Sequence, residues 1–251
     1  LFPYTTLFRS LYSRNVPNLF MAGRCASCTH MAMGSTRVAA TAAAMGQAVG
    51  VAAARCADHL CLPRDLTADD ISAIQQQLLR EDHFIPELPN ADPDDLARAA
   101  TVSASSHEPG AEPQKILSGV TRHRHGDDHQ WRSEPGTALP QHVELTWEQS
   151  RELREVQVIF DTGFERPLTL THSDPFNKRI LRGPQPETVR DYTIAAEVGD
   201  DQWVEVARVR GNYERRRVHS FECLTATRLR VVCEATNGTD QARIFEIRAY
   251  G

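Results

Sequence analysis

The sequence predicts an α+β chain in which a short strand and helices precede an all-β sandwich. Three observations lead there. An Ala-rich run and a second segment with Ile71, Ile74, Leu78 and Leu79 carry helical spacing. From about Leu96 the apolar period drops to two across seven short runs. Between these regions "IPELPNADPDDLARAA" is Pro-rich and acidic, and residues 87–95 read as a linker.

The first elements come from residues 11–86. In "NVPNLFMAGRC", Pro17 and Asn18 mark a turn and Leu19–Ala22 a short buried strand that Gly23 ends. "STRVAATAAAMGQAVGVAAARCADHL" reads as a helix because Ala is the best helix former, with Ser35 or Thr36 as its cap. Ala42, Gly46, Gly50 and Ala54 recur every four residues and form a stripe of small side chains. The run is too short, too rich in Ala and Gly and too closely bounded by Arg37 and Arg55 for a bilayer, so a helix buried against a sheet or cofactor is expected. In "LTADDISAIQQQLLRED", Thr67 precedes Asp69 and Asp70, acids that suit the first turn of a helix. Asp92 followed by Pro93 predicts one more short helix start.

The β runs are "HVELTW", "REVQVIFD", "DYTIAAEV", "QWVEVARV", "HSFECL", "TRLRVVCEA" and "ARIFEIRAY". Turn signals such as "RGPQP", "VGDD", "RGN" and "TNGTD" lie between runs, as in a sandwich or jelly roll.

The 251 residues suffice for one large or two modest domains, and 41% hydrophobic with 24% charged residues is ordinary for a globular protein. A formal net charge of −5 argues against nucleic acid as a main partner, since phosphate binding needs a basic face. No membrane partner is expected either. Six cysteines are too few for a disulfide scaffold, and the sequence leaves their redox state open.

The stretch "NLFMAGRCASCTHMAMGSTRVAATAAAMGQAVGVAAA", with the later "LTADDISAIQQQLLREDHFIP", resembles the C-terminal flavin-binding segment of bacterial FAD-dependent oxidoreductases. The resemblance covers about Leu11 to Pro86. It implies the end of a Rossmann-type FAD-binding domain, with FAD as cofactor in a longer parent and a small-molecule or sugar-derived substrate. The glycine fingerprint that holds the dinucleotide pyrophosphate has no counterpart here. The opening "LFPYTTLFRS" resembles a translated sequencing adapter, so residues 1–10 are expected to carry no biology and the chain to be the C-terminal part of its parent. Enzyme activity is then expected of the parent rather than of this stretch alone.

The resemblance implies cofactor-binding roles for Gly23, Arg24, His30, Gly34, Ser35, Arg37 and Val38. The chemistry agrees. Gly23 lets backbone approach a flavin without a side chain between them. A helix N-terminus near Ser35–Val38 would stabilise negative charge on reduced flavin, and Arg37 would add to it. No catalytic residue is assigned.

No metal site is expected. "CASCTH" lacks the His directly after the second Cys that haem attachment requires. Cys25, Cys28, Cys56 and Cys61 suit zinc poorly, because Cys56 lies near the far end of a helix roughly 30 Å long, and no iron–sulfur spacing is present. His123, His125 and His129 in "TRHRHGDDH" read as a solvated loop.

The region from about Leu96 to Gly251 resembles a discoidin-like, galactose-binding-like β-sandwich, through "VSASS", "ILSG", "WRSEP" and the strand runs. That implies a carbohydrate as a ligand held by loops at one end. Trp131, Trp147 and Trp203 are expected to pack in the core or at its rim. The alternative to the oxidoreductase reading is a carbohydrate-binding sandwich with a helical support and no redox role.

Overall fold

The computed structural model describes residues 9–166, 169–199 and 201–251. The expectation for the opening stretch therefore falls mostly outside the described residues; only Arg9 and Ser10 are seen, in a 3-10 turn, Arg9–Leu11. The chain divides into two compact units, Leu1–Asn90 and Ala91–Gly251.

Among its described residues, the first unit contains three α-helices. Helix α1 spans His30–Thr36, α2 Ala39–Asp58 and α3 Ala68–Arg80. The predicted strand at Leu19–Ala22 is reduced to a single bridge between Tyr12 and Phe20, closed by Met21 N–H donating to Leu11 O at 2.8 Å. Leu19 is exposed rather than buried.

The Ala-rich helix starts later than Ser35 or Thr36. Thr29 caps α1 instead, its Oγ1 accepting from Ala32 N–H at 3.3 Å, and Ser35 and Thr36 lie in the last turn of α1. Arg37 closes that helix, the backbone turns extended at Val38, and α2 begins with no side-chain cap.

Helix α2 buries only Ala52 and Cys56. Its inner face packs on Ile74 and Leu78 of α3, with Phe20, Val51, Leu66 and Ile85 around them. The expected burial of the small-residue stripe is not seen: Gly46, Gly50 and Ala54 are exposed, and a methyl group placed on either glycine would meet nothing. Helix α3 starts where the sequence places it, and it does so with a capping box. Thr67 Oγ1 accepts from Asp70 N–H at 3.2 Å while Asp70 Oδ2 accepts from Thr67 N–H at 2.9 Å. Those bonds, and then Arg55 Nε at 2.8 Å, hold the Asp70 carboxyl well below the usual range.

Among its described residues, the second unit has seven strands: β1 Thr101–Ala104, β2 Trp131–Arg132, β3 Gln141–Phe160, β4 Val189–Glu197, β5 Trp203–Val209, β6 Arg216–Thr236 and β7 Arg243–Tyr250. All their pairings are antiparallel. Two predicted pairs of runs fuse: "HVELTW" and "REVQVIFD" become β3, and "HSFECL" and "TRLRVVCEA" become β6. Strands β3 and β6 pair along most of their lengths, with register shifts between Thr146 and Arg151 and between Leu153 and Glu155. The first half of β3 joins β1, and the second half of β6 joins β4 and then β5. The second half of β3 joins β7 and then β2. One hydrogen-bonded sheet thus supplies both layers, because two long strands bend through bulges, which locally strengthen the twist.

Between the layers lies one core. Phe160 of β3 meets Tyr192 of β4 at a ring separation of 5.0 Å, amid Leu145, Val158, Ile194 and Ile247. Trp131 and Trp147 are buried, their indole N–H groups donating to Ser106 O at 2.9 Å and Leu96 O at 2.8 Å. Trp203 sits on the outer surface of the sheet with the Arg228 and Arg230 guanidiniums over its ring.

The expected helix start at Asp92 lies three residues later. Asp95 caps a 3-10 turn, Leu96–Ala99, and Asp92 instead accepts from Tyr250 Oη–H at 3.1 Å. Among the described residues of the long β3–β4 connection, one short α-helix is seen, α4 Asp174–Asn177.

Candidate functional site

Two places carry chemistry. The first is the run from Gly23 to the start of α2. Gly23 has φ +62° in a 3-10 turn, Gly23–Cys25, where glycine adopts the left-handed region without strain. A Cβ there would stand 3.4 Å from Ala42 Cβ, so the turn lies close against α2. Arg24 follows, exposed. His30 begins α1 rather than lying in a loop, Gly34 and Ser35 end it, Arg37 caps it and Val38 leads into α2.

Among the described residues, no ion pair or side-chain hydrogen bond engages Arg24, His30 or Arg37, and all three are exposed. The first amides of α2 lack a side-chain cap because Val38 has no acceptor to offer. This short stretch therefore presents an open helix terminus and three uncompensated basic side chains. A separate cleft of about 630 Å³ in the same unit is lined by Arg9, Tyr12, Arg14, Met21, Ser27 and Arg64, none of them a predicted site residue.

The second place is one end of the sandwich. The segment before β2, the β3–β4 connection and the residues leading into β6 and β7 meet there. Phe164, 45% exposed, lies under the Arg122 guanidinium at 4.0 Å and the Arg215 guanidinium at 4.7 Å. Arg215 is pinned by donating to Phe160 O at 3.0 Å and to Thr121 O. Gly163, at φ +66°, turns the chain so that Arg166 folds back onto Glu187 in a two-pronged pair at 2.5 and 2.6 Å. That guanidinium holds the Glu187 carboxyl below its ordinary value.

Sequence reading did not single out Phe164, Arg122, Arg215 or Asp161. The available signal was "DTGFERP", a glycine and an aromatic set among charges directly after a strand. An aromatic in such a turn has no strand face to fill, so its exposure could have been foreseen.

Residues 2–78 match the family model described as FAD dependent oxidoreductase. The N-terminal segment is similar to FAD dependent oxidoreductases. The match contains every predicted cofactor residue from Gly23 to Val38. No curated protein matches the chain.

Solved structures align with the sandwich region. A family 32 carbohydrate-binding module from Clostridium perfringens NanJ, in complex with galactose, is 16% identical over 62% of this chain and 96% of its own, at a TM-score of 0.47. The family 32 module of Streptococcus pneumoniae EndoD is 18% identical over 62% and 98%, also at 0.47. Chitosan-binding module 1 of a Paenibacillus chitosanase/glucanase gives 18%, 62%, 98% and 0.47. Among the described residues, no helix is long and apolar enough to cross a membrane.

Proposed function

We propose that the first unit supplies one side of the flavin pocket of an FAD-dependent oxidoreductase, the remainder coming from a dinucleotide-binding half in its parent. The observation that carries this reading is the uncapped N-terminus of the 20-residue helix α2, flanked by unpaired Arg37, within sequence matching the family. These residues fit a flavin. Open amides and a guanidinium suit the negative charge that the reduced ring carries, and the bare backbone of Gly34, where a Cβ would meet nothing, admits a flat ring closely. When bound, the flavin would accept hydride from an organic substrate. The chain's own part is to orient the ring and to offset its charge through Arg37 and the α2 amides.

Arg37→Ala, made in the full-length flavoprotein, tests this. Loss of a charge-assisted contact is worth about 1.5–3 kcal/mol. For a two-electron couple that equals a fall of about 30–60 mV in the flavin midpoint potential. An unchanged potential in a variant that still holds flavin would place Arg37 away from the ring and sink the assignment.

A second reading concerns the sandwich, and Phe164 favours it. The part of the Phe164 ring that the Arg122 and Arg215 guanidiniums leave exposed offers an apolar surface beside hydrogen-bonding groups, the composition of a sugar site. Titration of the full chain with galactose should show binding that Phe164→Ala reduces tenfold or more. Equal binding by both proteins would remove Phe164 from any sugar site.

A further inference from the structure

The loop end of the sandwich brings together a histidine and two carboxylates that no reading of the sequence joined. His123 lies in the segment before β2, Asp161 directly follows Phe160 at the end of β3, and Glu165 stands one turn beyond Gly163. Their ligand atoms all lie within 4.8 Å of one another. We propose that His123, Asp161 and Glu165 form a divalent-metal site that takes a zinc-type ion.

The three groups are held in ways that suit ligation. Asp161, only 1% exposed, is fixed by Gly163 N–H donating to Oδ1 at 2.8 Å and by Thr188 Oγ1–H donating to its carbonyl at 3.0 Å. His123 turns Nδ1 toward Asp128 Oδ1 at 3.3 Å. Asp128 is itself held by Arg132 and by Gln130 N–H at 3.2 Å. A carboxylate on one ring nitrogen leaves the other for the metal, the usual outer arrangement of a metal-binding histidine. Gln130 sets its side-chain amide against that second nitrogen, Nε2, at 3.4 Å, and in the orientation that satisfies both of its ends its amide nitrogen donates to Asp161 Oδ2 at 3.2 Å; an entering metal displaces both contacts. The His123 ring is also braced edge-on against Phe245 at 5.4 Å.

The carboxylates keep capacity for a cation. Arg243 approaches Asp161 only to 3.4 Å and Arg166 approaches Glu165 only to 3.5 Å. Both contacts are longer than the 2.7–2.9 Å or so of a strong charge-assisted bond. Arg166 spends its close contacts on Glu187 instead.

An ion about 2.0–2.2 Å from each ligand would draw the three atoms to roughly 3.4 Å apart. The side chains of His123 and Glu165 are 39% and 44% exposed, so they can make that closure while Asp161 stays fixed. Imidazole nitrogen selects zinc-type ions over calcium or magnesium. Three protein ligands leave a fourth tetrahedral position to water or to a bound molecule.

The test is calorimetric titration of the full chain with zinc chloride, after chelator treatment and alkylation of accessible thiols. His123→Ala and Glu165→Gln alter exposed side chains and spare the core, and His125→Ala serves as the neighbouring control. The expected result is one equivalent bound by the parent chain and by His125→Ala, weakened at least tenfold in each of the other two. Absence of binding, binding that both variants retain, or equal loss in His125→Ala would overturn the site.

Discussion

Asp95 offers the sharpest test of how the second unit is closed. It is 5% exposed, and its Oδ1 accepts from Ala97 N–H at 3.1 Å and Ala249 N–H at 3.0 Å. Burial pushes the carboxyl up to about 6 from 3.8, against the two backbone bonds, which pull it down; Glu246 adds to the rise and Arg248 opposes it. A folded-state value raised above the unfolded one means that the fold prefers the protonated acid. Stability from this group is therefore complete below about pH 4, falls as pH rises toward 6 and is level above that. The shift of about two units corresponds to about 3 kcal/mol. Asp95→Asn keeps the oxygen that both amides use and cannot ionise. It should match the parent near pH 4 and exceed it by up to about 3 kcal/mol at pH 8. Asp95→Ala should lose stability at every pH, at about 1–3 kcal/mol for each amide left without an acceptor. The assay is denaturant unfolding between pH 4 and 8 followed by Trp fluorescence. Trp131, Trp147 and Trp203 all lie in the second unit, so the signal reports on that unit alone. A difference between Asp95→Asn and the parent that does not change with pH would refute the reasoning.

Two further outcomes are expected alongside the Arg37 and Phe164 tests. The chain purified by itself should be colourless, because it has no glycine fingerprint for the FAD pyrophosphate; stoichiometric flavin in the purified chain would contradict this. A chain from Ala91 to Gly251 should melt several degrees above one from Leu96 to Gly251, since the shorter one loses the acceptors for Tyr250, Ala97 and Ala249; equal melting temperatures would show that residues 91–95 add nothing to that unit.

Local chemistry made much of the fold legible. The box of Thr67 and Asp70 starts α3 where the sequence places it, and alternation marks β4, β5 and β7 within a residue or two. Failures came where a distant partner decided the outcome. Glu148, Gln149 and Ser150 are polar and read as a break, yet β3 runs through them. A partner strand with a matching irregularity lets the ladder resume at Arg151 opposite Ala226. Ser35 and Thr36 are good caps by type, but Thr29 captures the turn first, and Thr36 then bonds back to Ala32 O at 3.1 Å inside the helix.

The site at the loop end was the least legible part, for the same reason. His123 and Asp161 are separated by β2 and the whole of β3, and only closure of the sheet brings them near each other. Residues 91–95 make the point in reverse. Proline and aspartate in series have the composition of a connector, and the sequence reading took them for the end of one, with a short helix start at Asp92 and Pro93. The carboxylates of Asp92 and Asp95 are buried nonetheless, because the end of β7 presents the Tyr250 hydroxyl and the Ala249 amide and needs acceptors for both. An acidic side chain marks solvent only where no buried donor claims it. Which donors stand unclaimed at a strand end is fixed by pairing across the whole unit, so it cannot be read from the neighbouring residues.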